Sequence, residues 1–357
     1  MTEYLKGNNM KRGCRGKESP GNPGCDSGIP RRDFIKTSSV GAAGLAIAGS
    51  HIACGGSTQM PRQGLGNQFM QDEKPLLIAV EGNDLNKMLV AGLEAIGGLE
   101  KLVSGKSVVM KPNNLAGRPP PVTTDTKMVL AVGQLARSAG ASSLAVCDAV
   151  QKIKKYKKTG CLPRLNEAGI TLDTVDFGVR SDHVFVSKQG WTSHRRIGVV
   201  KPLHQADVVI NLPVIKRHIS ARFTCALKNH FGSVFFPLRQ LAHKKNNSKS
   251  DAGRKFFEHA LAEYADAVSS ELNIVDGRKL LVRDGPSLSG KAEVREGVNR
   301  LVLCGDIVAT DAYCSKLMEE NDETYSRDMI AYQLEIAEEL GMGVRDLNNV
   351  VIKEIIA

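Results

Sequence analysis

The chain has 357 residues, 42% of them apolar, with 5% aromatic residues and a net charge of +10. That apolar share can fill the core of one large domain or two small ones, which excludes a chain disordered throughout. The positive balance suits an anionic ligand or surface, while so few aromatics argue against a base-stacking platform, so no nucleic-acid partner is expected.

Residues 1–28 are polar and without periodicity. Arg31-Arg32-Asp33-Phe34-Ile35-Lys36 then fits the twin-arginine export pattern, and residues 40–48 form a short Gly- and Ala-rich apolar stretch. A bilayer span needs about 20 apolar residues, so this stretch suits a signal h-region instead. Ala48-Gly49-Ser50 offers a small-x-small cleavage site. Residues 1–54 are therefore expected to be an n-region and signal peptide, with the twin-arginine translocation machinery as partner and a periplasmic or other extracytoplasmic destination. Cys54 raises lipid anchoring, but His51 stands where a lipobox needs an aliphatic residue. Residues 55–74 read as a flexible linker and 75–357 as a single α/β domain. No apolar run reaches transmembrane length.

Residues 76–80 read as a strand, with Asp84 capping a following helix whose apolar face is Leu85, Met88, Leu89, Leu93 and Ile96. A second strand, 107–110, runs into Lys111-Pro112-Asn113-Asn114. Thr123, Thr124 or Asp125 caps the next helix, and a third strand, 143–147, delivers Asp148 at its carboxyl end. Residues 152–158 carry five lysines and read as a solvated loop or an anion-guiding rim. A short helix at 162–168 and a strand at 171–177 follow, then a β-rich excursion around 180–200. This alternation defines an α/β fold: a mostly parallel sheet with helices on both faces, plus the small β-rich excursion.

The stretch 207–234 organises the rest. A strand at 208–212 delivers Asn211 and stops at Pro213; a basic turn carries Lys216, Arg217 and His218. Placed on a helix, residues 222–232 put Phe223, Ala226, Leu227 and Phe231 on one face and Thr224, Lys228, Asn229 and Gly232 on the other. His230 falls on the apolar face and reads as structural. Ligands of open α/β sheets bind outside the carboxyl ends of the strands, and cations beside a helix N-terminus favour an anion. Lys111, Asn113, Asn211, Thr224, Asn229 and Gly232 are thus candidate ligand-binding residues. Lys216, Lys228 and His218 are the candidate catalytic ones, with His218 as acid/base because imidazole titrates near neutrality.

Residues 238–254 are polar and basic and read as a loop placed to act as a lid. Phe257, Leu261, Tyr264 and Val268 form a helix face; 272–275 is a strand leading to Asp276, and 298–304 a strand followed by Asp306 and Asp311. A helix at 327–340 and a strand at 350–355 complete the chain. Asp148, Asp276, Asp306 and Asp311 all follow strand ends, which makes a divalent cation a possible cofactor; helix capping and turn formation are their ordinary roles. Beyond Cys54 the cysteines are 147, 161, 225, 304 and 314, with no CxxC pair, so neither a disulfide framework nor a zinc ribbon is expected.

Taken together, several motifs resemble the domain of unknown function 362 family. They are Lys111-Pro112-Asn113 with Thr124, Asp148, Asn211-Leu212-Pro213 through Lys216 and His218, and Thr224 through Lys228-Asn229-His230-Phe231-Gly232. Asp276-Gly277 with Gly285-Pro286 and Gly290, and Asp306 with Asp311, complete the set. The resemblance covers roughly 76–355 and implies the fold and the position of the site. Many members append a cysteine-rich ferredoxin module, whose spacing does not occur here. Three functions follow in order: an exported enzyme with an anion-binding site, with or without the assistance of a metal or cofactor; a non-catalytic binding protein for an anionic small molecule; and a redox protein using Cys225 or a bound cluster.

Overall fold

Runs such as 76–80 and 208–212 are apolar at nearly every position, the pattern of strands covered on both faces. The computed structural model describes residues 59–114, 117–149 and 153–357. The leader, its twin-arginine motif and Cys54 lie outside the described residues.

In chain order the elements are β1 (Met70–Gln71), β2 (Lys74–Glu81), α1 (Leu85–Ile96), α2 (Glu100–Val103), β3 (Ser107–Pro112), α3 (Thr126–Ser138), β4 (Ser143–Ala149), α4 (Ile153–Lys158) and α5 (Cys161–Glu167). There follow β5 (Thr171–Val175), β6 (His183–Val186), β7 (Ile197–Val200), α6 (Lys201–Gln205), β8 (Val208–Leu212), β9 (Val214–His218), β10 (Arg222–Thr224) and α7 (Ala226–Asn229). The chain ends with α8 (Phe236–Asn247), α9 (Asp251–Val268), β11 (Leu272–Val282), β12 (Glu293–Arg295), β13 (Arg300–Cys304), α10 (Ile307–Asn321), α11 (Ala331–Glu339) and β14 (Val351–Ile356).

The main sheet runs β1-β2-β13-β11-β8-β3-β4-β5, with β14 on β2 and with β9 and β12 on β11. Strands β11, β8, β3, β4 and β5 are parallel, and β14 is parallel to β2; β13 is antiparallel to both of its neighbours. The sheet is therefore mostly parallel, and β6 and β7 form a separate antiparallel pair.

Strand alternation decides which residue meets which layer. In β2, Ile78 and Val80 pack with Leu89 and Leu93 of α1, whereas Leu77 and Ala79 pack with Val308 and Ala312 of α10. In β8, Val208, Ile210 and Leu212 join the first layer and Val209 joins Phe257, Leu261 and Tyr264 of α9. In β3, Val108 and Met110 likewise oppose Val109. The same period puts Lys111 on the face of Val109 and Asn211 on the face of Val209. Because Lys111 pairs with Asn211 and Asn211 with Asn273, a polar row crosses three strands where the apolar stripe ends.

Four expectations change. Residues 222–232 are not one helix: 222–224 pair with β9 as a strand, and only 226–229 are α-helical. That pairing is non-local, so helical periodicity over the segment could not reveal it. Residues 238–254 are not a loop but most of α8 and the start of α9, with Pro237 in the first turn of α8 and Ser250 capping α9. Residues 153–158 form helix α4, whose Tyr156 is buried. Residues 59–74, assigned by composition to a flexible spacer, lie against the domain. Arg62 binds both oxygens of Glu271 at 2.6 and 2.8 Å, and Phe69 is buried.

Candidate functional site

A cavity of about 250 Å³ opens at the carboxyl ends of β3, β4 and β5. Lys111, Asn113 and Asn114 reach it from β3 and its exit, Asp148 and Ala149 from β4, and Phe177 from just beyond β5. Strand β9 contributes Lys216 and His218, β10 contributes Thr224, α7 contributes Lys228 and Asn229, and the turn after α7 contributes Phe231 and Gly232. Arg239 enters from α8, and Pro286 follows Gly285, where a Cβ would stand 1.9 Å from the Arg217 carbonyl. Only glycine allows that close approach.

Parallel strands carry the floor. Asn113 Nδ2 donates to Asn229 Oδ1 at 3.0 Å. Asn229 Nδ2 in turn donates to the Lys111 carbonyl at 3.0 Å and to Asn211 Oδ1 at 2.7 Å. Asn211 Nδ2 reaches Asn273 Oδ1 at 3.0 Å, and Asn273 Nδ2 donates to the Cys304 carbonyl at 3.2 Å. This amide chain satisfies polar groups that would otherwise be buried unpaired. It also holds Lys216, whose Nζ donates to Asn113 Oδ1 at 2.8 Å and to the Val122 carbonyl at 2.7 Å. Thr124 ties the same loop down, accepting from Asn113 N at 2.7 Å and donating to the Leu212 carbonyl at 2.7 Å.

Charge is one-sided. Lys111, Lys216, Lys228 and Arg239 line the cavity against a single carboxylate among the described residues, Asp148. Tyr156 donates its hydroxyl proton to Asp148 Oδ2, and Ala149 N donates to Oδ1 at 2.8 Å. Lys111 Nζ donates to the Pro112 carbonyl at 2.7 Å; a Cβ at Gly232 would lie 3.7 Å from that Nζ, so the glycine keeps the space above it open. Lys228 is half-buried, with its Nζ 3.9 Å from the centre of the Phe231 ring and no hydrogen-bond or carboxylate partner among the described residues. Burial, then the neighbouring Arg239 and Lys216, lower its pKa to about 7. Arg239 lies 5.4 Å from the Phe177 ring and 5.8 Å from that of Phe231, and burial lowers its pKa too.

Two buried polar atoms on this wall, Thr224 Oγ1 and Arg239 Nε, have no hydrogen-bond partner within the described residues. Thr224 is only 2% exposed. His218 adds a third donor. Its Nδ1 accepts from Ser220 N at 3.1 Å and Ala221 N at 3.2 Å, which fixes the proton on Nε2. Burial and the charges of Lys228 and Lys216 push its pKa down to about 2. Near neutral pH His218 thus presents a neutral N–H donor to the cavity.

The cavity unites Lys111, Asn113, Asp148, Lys216, His218, Thr224, Lys228, Asn229 and Gly232. Asn211 lies behind them, fully buried in the amide chain. The other carboxylates stand elsewhere. Asp276 binds Arg278 Nε and Nη2 at 2.9 and 2.7 Å. Asp306 caps α10, accepting from Val308 N and Ala309 N, and burial raises its pKa to about 6. Asp311 is not in the first turn of that helix. It sits one turn further on, accepting from Ala226 N at 2.6 Å and Leu227 N at 3.2 Å, which caps α7 from another element. Burial raises its pKa to about 7. No group of three or more His, Cys, Asp or Glu residues among the described residues could hold a metal ion. Cys225 is fully buried, and burial pushes its thiol pKa well above the ordinary value, which disfavours the thiolate. Sequence reading missed Arg239 and Phe177, the first because its helix reads as a loop, the second because it follows its strand's end.

Fold and site define an α/β protein with a cation-lined cavity at the carboxyl ends of its parallel strands. A profile described as "Domain of unknown function (DUF362)" matches residues 108–316, more than half of the sequence, and the chain belongs to that family. The thylakoid-associated protein sll1697 of Synechocystis sp. is 30% identical over 250 residues, spanning 68% of this chain and 73% of its own length. Among solved structures, the lactate racemase apoprotein of Thermoanaerobacterium thermosaccharolyticum aligns with a TM-score of 0.46 and 14% identity. That alignment covers 65% of this chain and 55% of the other, so the chain spans about half of its length.

Proposed function

We propose that this chain takes up a small anionic molecule, bearing a carboxylate, phosphate or similar oxyanion, in the cavity between β3, β9 and α8. The observation that carries this reading is the cation-rich lining. Four cations face one carboxylate, and among the described residues Thr224 Oγ1, Arg239 Nε and Lys228 Nζ have no hydrogen-bond partner. Gathering like charges in a buried wall is costly, and an oxyanion supplies the opposite charge, with acceptor lone pairs for Lys228, Arg239 and Thr224. Lys228 and Arg239 bind the anion directly in this reading. His218 and Thr224 donate hydrogen bonds to it, and Asn113, Asn229 and Asn211 hold Lys216 and Lys111 in place.

The proposal includes location. The pattern Arg31-Arg32-Asp33-Phe34-Ile35-Lys36 followed by the apolar residues 40–48 supports export through the twin-arginine pathway, with 1–54 as signal and the α/β domain beyond it. No helix among the described residues is long and apolar enough to cross a membrane. Isothermal titration of the full chain with sulfate, phosphate and a panel of small carboxylates tests the binding reading. Saturable binding at one site, weakened by Lys228→Met, is expected; the absence of binding by every anion in the panel refutes it.

A further inference from the structure

We infer that Lys228 is a reactive amine that condenses with the carbonyl of a small 2-oxo acid held in this cavity. The inference rests on the anion-binding reading and adds a covalent step to it. Three features of the wall favour it. Lys228 Nζ meets the cavity with no carboxylate partner among the described residues, and it lies 3.9 Å from the centre of the Phe231 ring. Arg239 lines the same wall, close enough for its charge to act on this amine, and its guanidinium can hold a carboxylate next to the reacting carbon. His218 Nε2–H and Thr224 Oγ1 are donors available to a carbonyl oxygen.

The groups facing this amine are Lys111 on β3, Asp148 on β4, Lys216 and His218 on β9, and Arg239 and His243 on α8. All but Asp148 are cationic or neutral, and both oxygens of Asp148 are engaged by Tyr156 and Ala149. Such surroundings disfavour the ammonium form, in agreement with the lowered pKa of about 7. The lone pair of the neutral amine attacks the carbonyl carbon, a C–N bond forms, and the carbonyl π electrons pass to oxygen, which takes a proton. Water then leaves as C=N forms. In sum, amine, 2-oxo acid and one proton from solvent give a protonated imine and one water, with no change of oxidation state.

The test is reductive trapping. The full chain is incubated at pH 7.5 with pyruvate and cyanoborohydride, which delivers hydride to the imine carbon, and the peptides are mapped by mass spectrometry. Exposed lysines are only about 0.1% neutral at that pH, so labelling on the order of a hundredfold faster at Lys228 is expected. Sulfate should compete with it, and Lys228→Met should abolish it. Labelling spread evenly over surface lysines and insensitive to sulfate overturns the imine. If titration still shows sulfate bound, the anion reading survives that result; if neither pyruvate nor sulfate binds, both readings fall. Competition in the unmutated chain keeps the test decisive should the Lys228 variant fold poorly.

Discussion

Replacing Asn229 by alanine tests whether the amide chain organises the site. The side chain makes three hydrogen bonds, at 3.0 Å from Asn113, 3.0 Å to the Lys111 carbonyl and 2.7 Å to Asn211. Each contributes about 1 kcal/mol net, and an acceptor left dry costs about 1–3 kcal/mol more. Asn113 faces the cavity and can bind water instead, whereas Asn211 is fully buried and cannot. The expected loss is therefore about 3–5 kcal/mol for Asn229→Ala. Asn113→Ala should lose less, about 1–2 kcal/mol, because its partners border water. Urea unfolding at unchanged m-value measures both. A loss below about 1 kcal/mol for Asn229→Ala, or equal losses for the two variants, would refute the reasoning.

Four further outcomes follow. Sulfate affinity should fall as pH rises through about 7, by up to about tenfold per pH unit above it, because the folded pKa of Lys228 is lowered to about 7 and the bound anion requires the charged form. The stability contribution of the same lysine has the opposite sign. The unfolded chain holds that proton up to its ordinary value, so stability of the unliganded protein rises with pH above about 7 on its account. Calorimetry across pH reads the first; an inflection near the ordinary histidine value in its place would mean that His218 titrates after all. Arg239→Met keeps apolar contact with the phenylalanines but removes a charged donor, a loss of about 1.5–3 kcal/mol in sulfate binding, or roughly 10–100-fold in Kd. An unchanged Kd places the anion elsewhere. Arg62→Met leaves Glu271, 1% exposed, without its cation, and should cost about 3 kcal/mol by urea unfolding; a cost under about 1 kcal/mol would mean that residues 59–71 merely rest on the domain.

Much of the site could be read from strand ends. Lys111, Asn113, Asp148 and Lys216 follow apolar runs whose alternation decides which face they take, and the structure brings them to one cavity. Asn211 was legible as a site residue by the same logic, but the pairing that buries it beneath Asn229 depends on sheet register, which one strand's sequence does not encode. His218 could not be judged from its type alone, since backbone donors two and three residues on fix its tautomer. The segment 222–232 fits helical spacing, yet its first three residues, 222–224, are drawn into a sheet by β9 and only 226–229 are α-helical. Helix α8 was hidden by its polar, Asn-rich end, although Pro237 in its first turn was a start signal. The grouping of carboxylates failed for a related reason. Asp306 and Asp311 follow one strand, but each is taken up by backbone N–H groups of a different helix.

The most direct measurement is the position of a bound anion. Selenate resembles phosphate in shape and scatters anomalously, so crystals grown with it locate the site without assuming the ligand. An anomalous peak within hydrogen-bonding reach of Lys228 Nζ and Arg239, beside Thr224 and His218, is the expected result. A cavity occupied only by water, with selenate bound at another surface, would contradict the proposal that this cluster of cations exists to hold an anion.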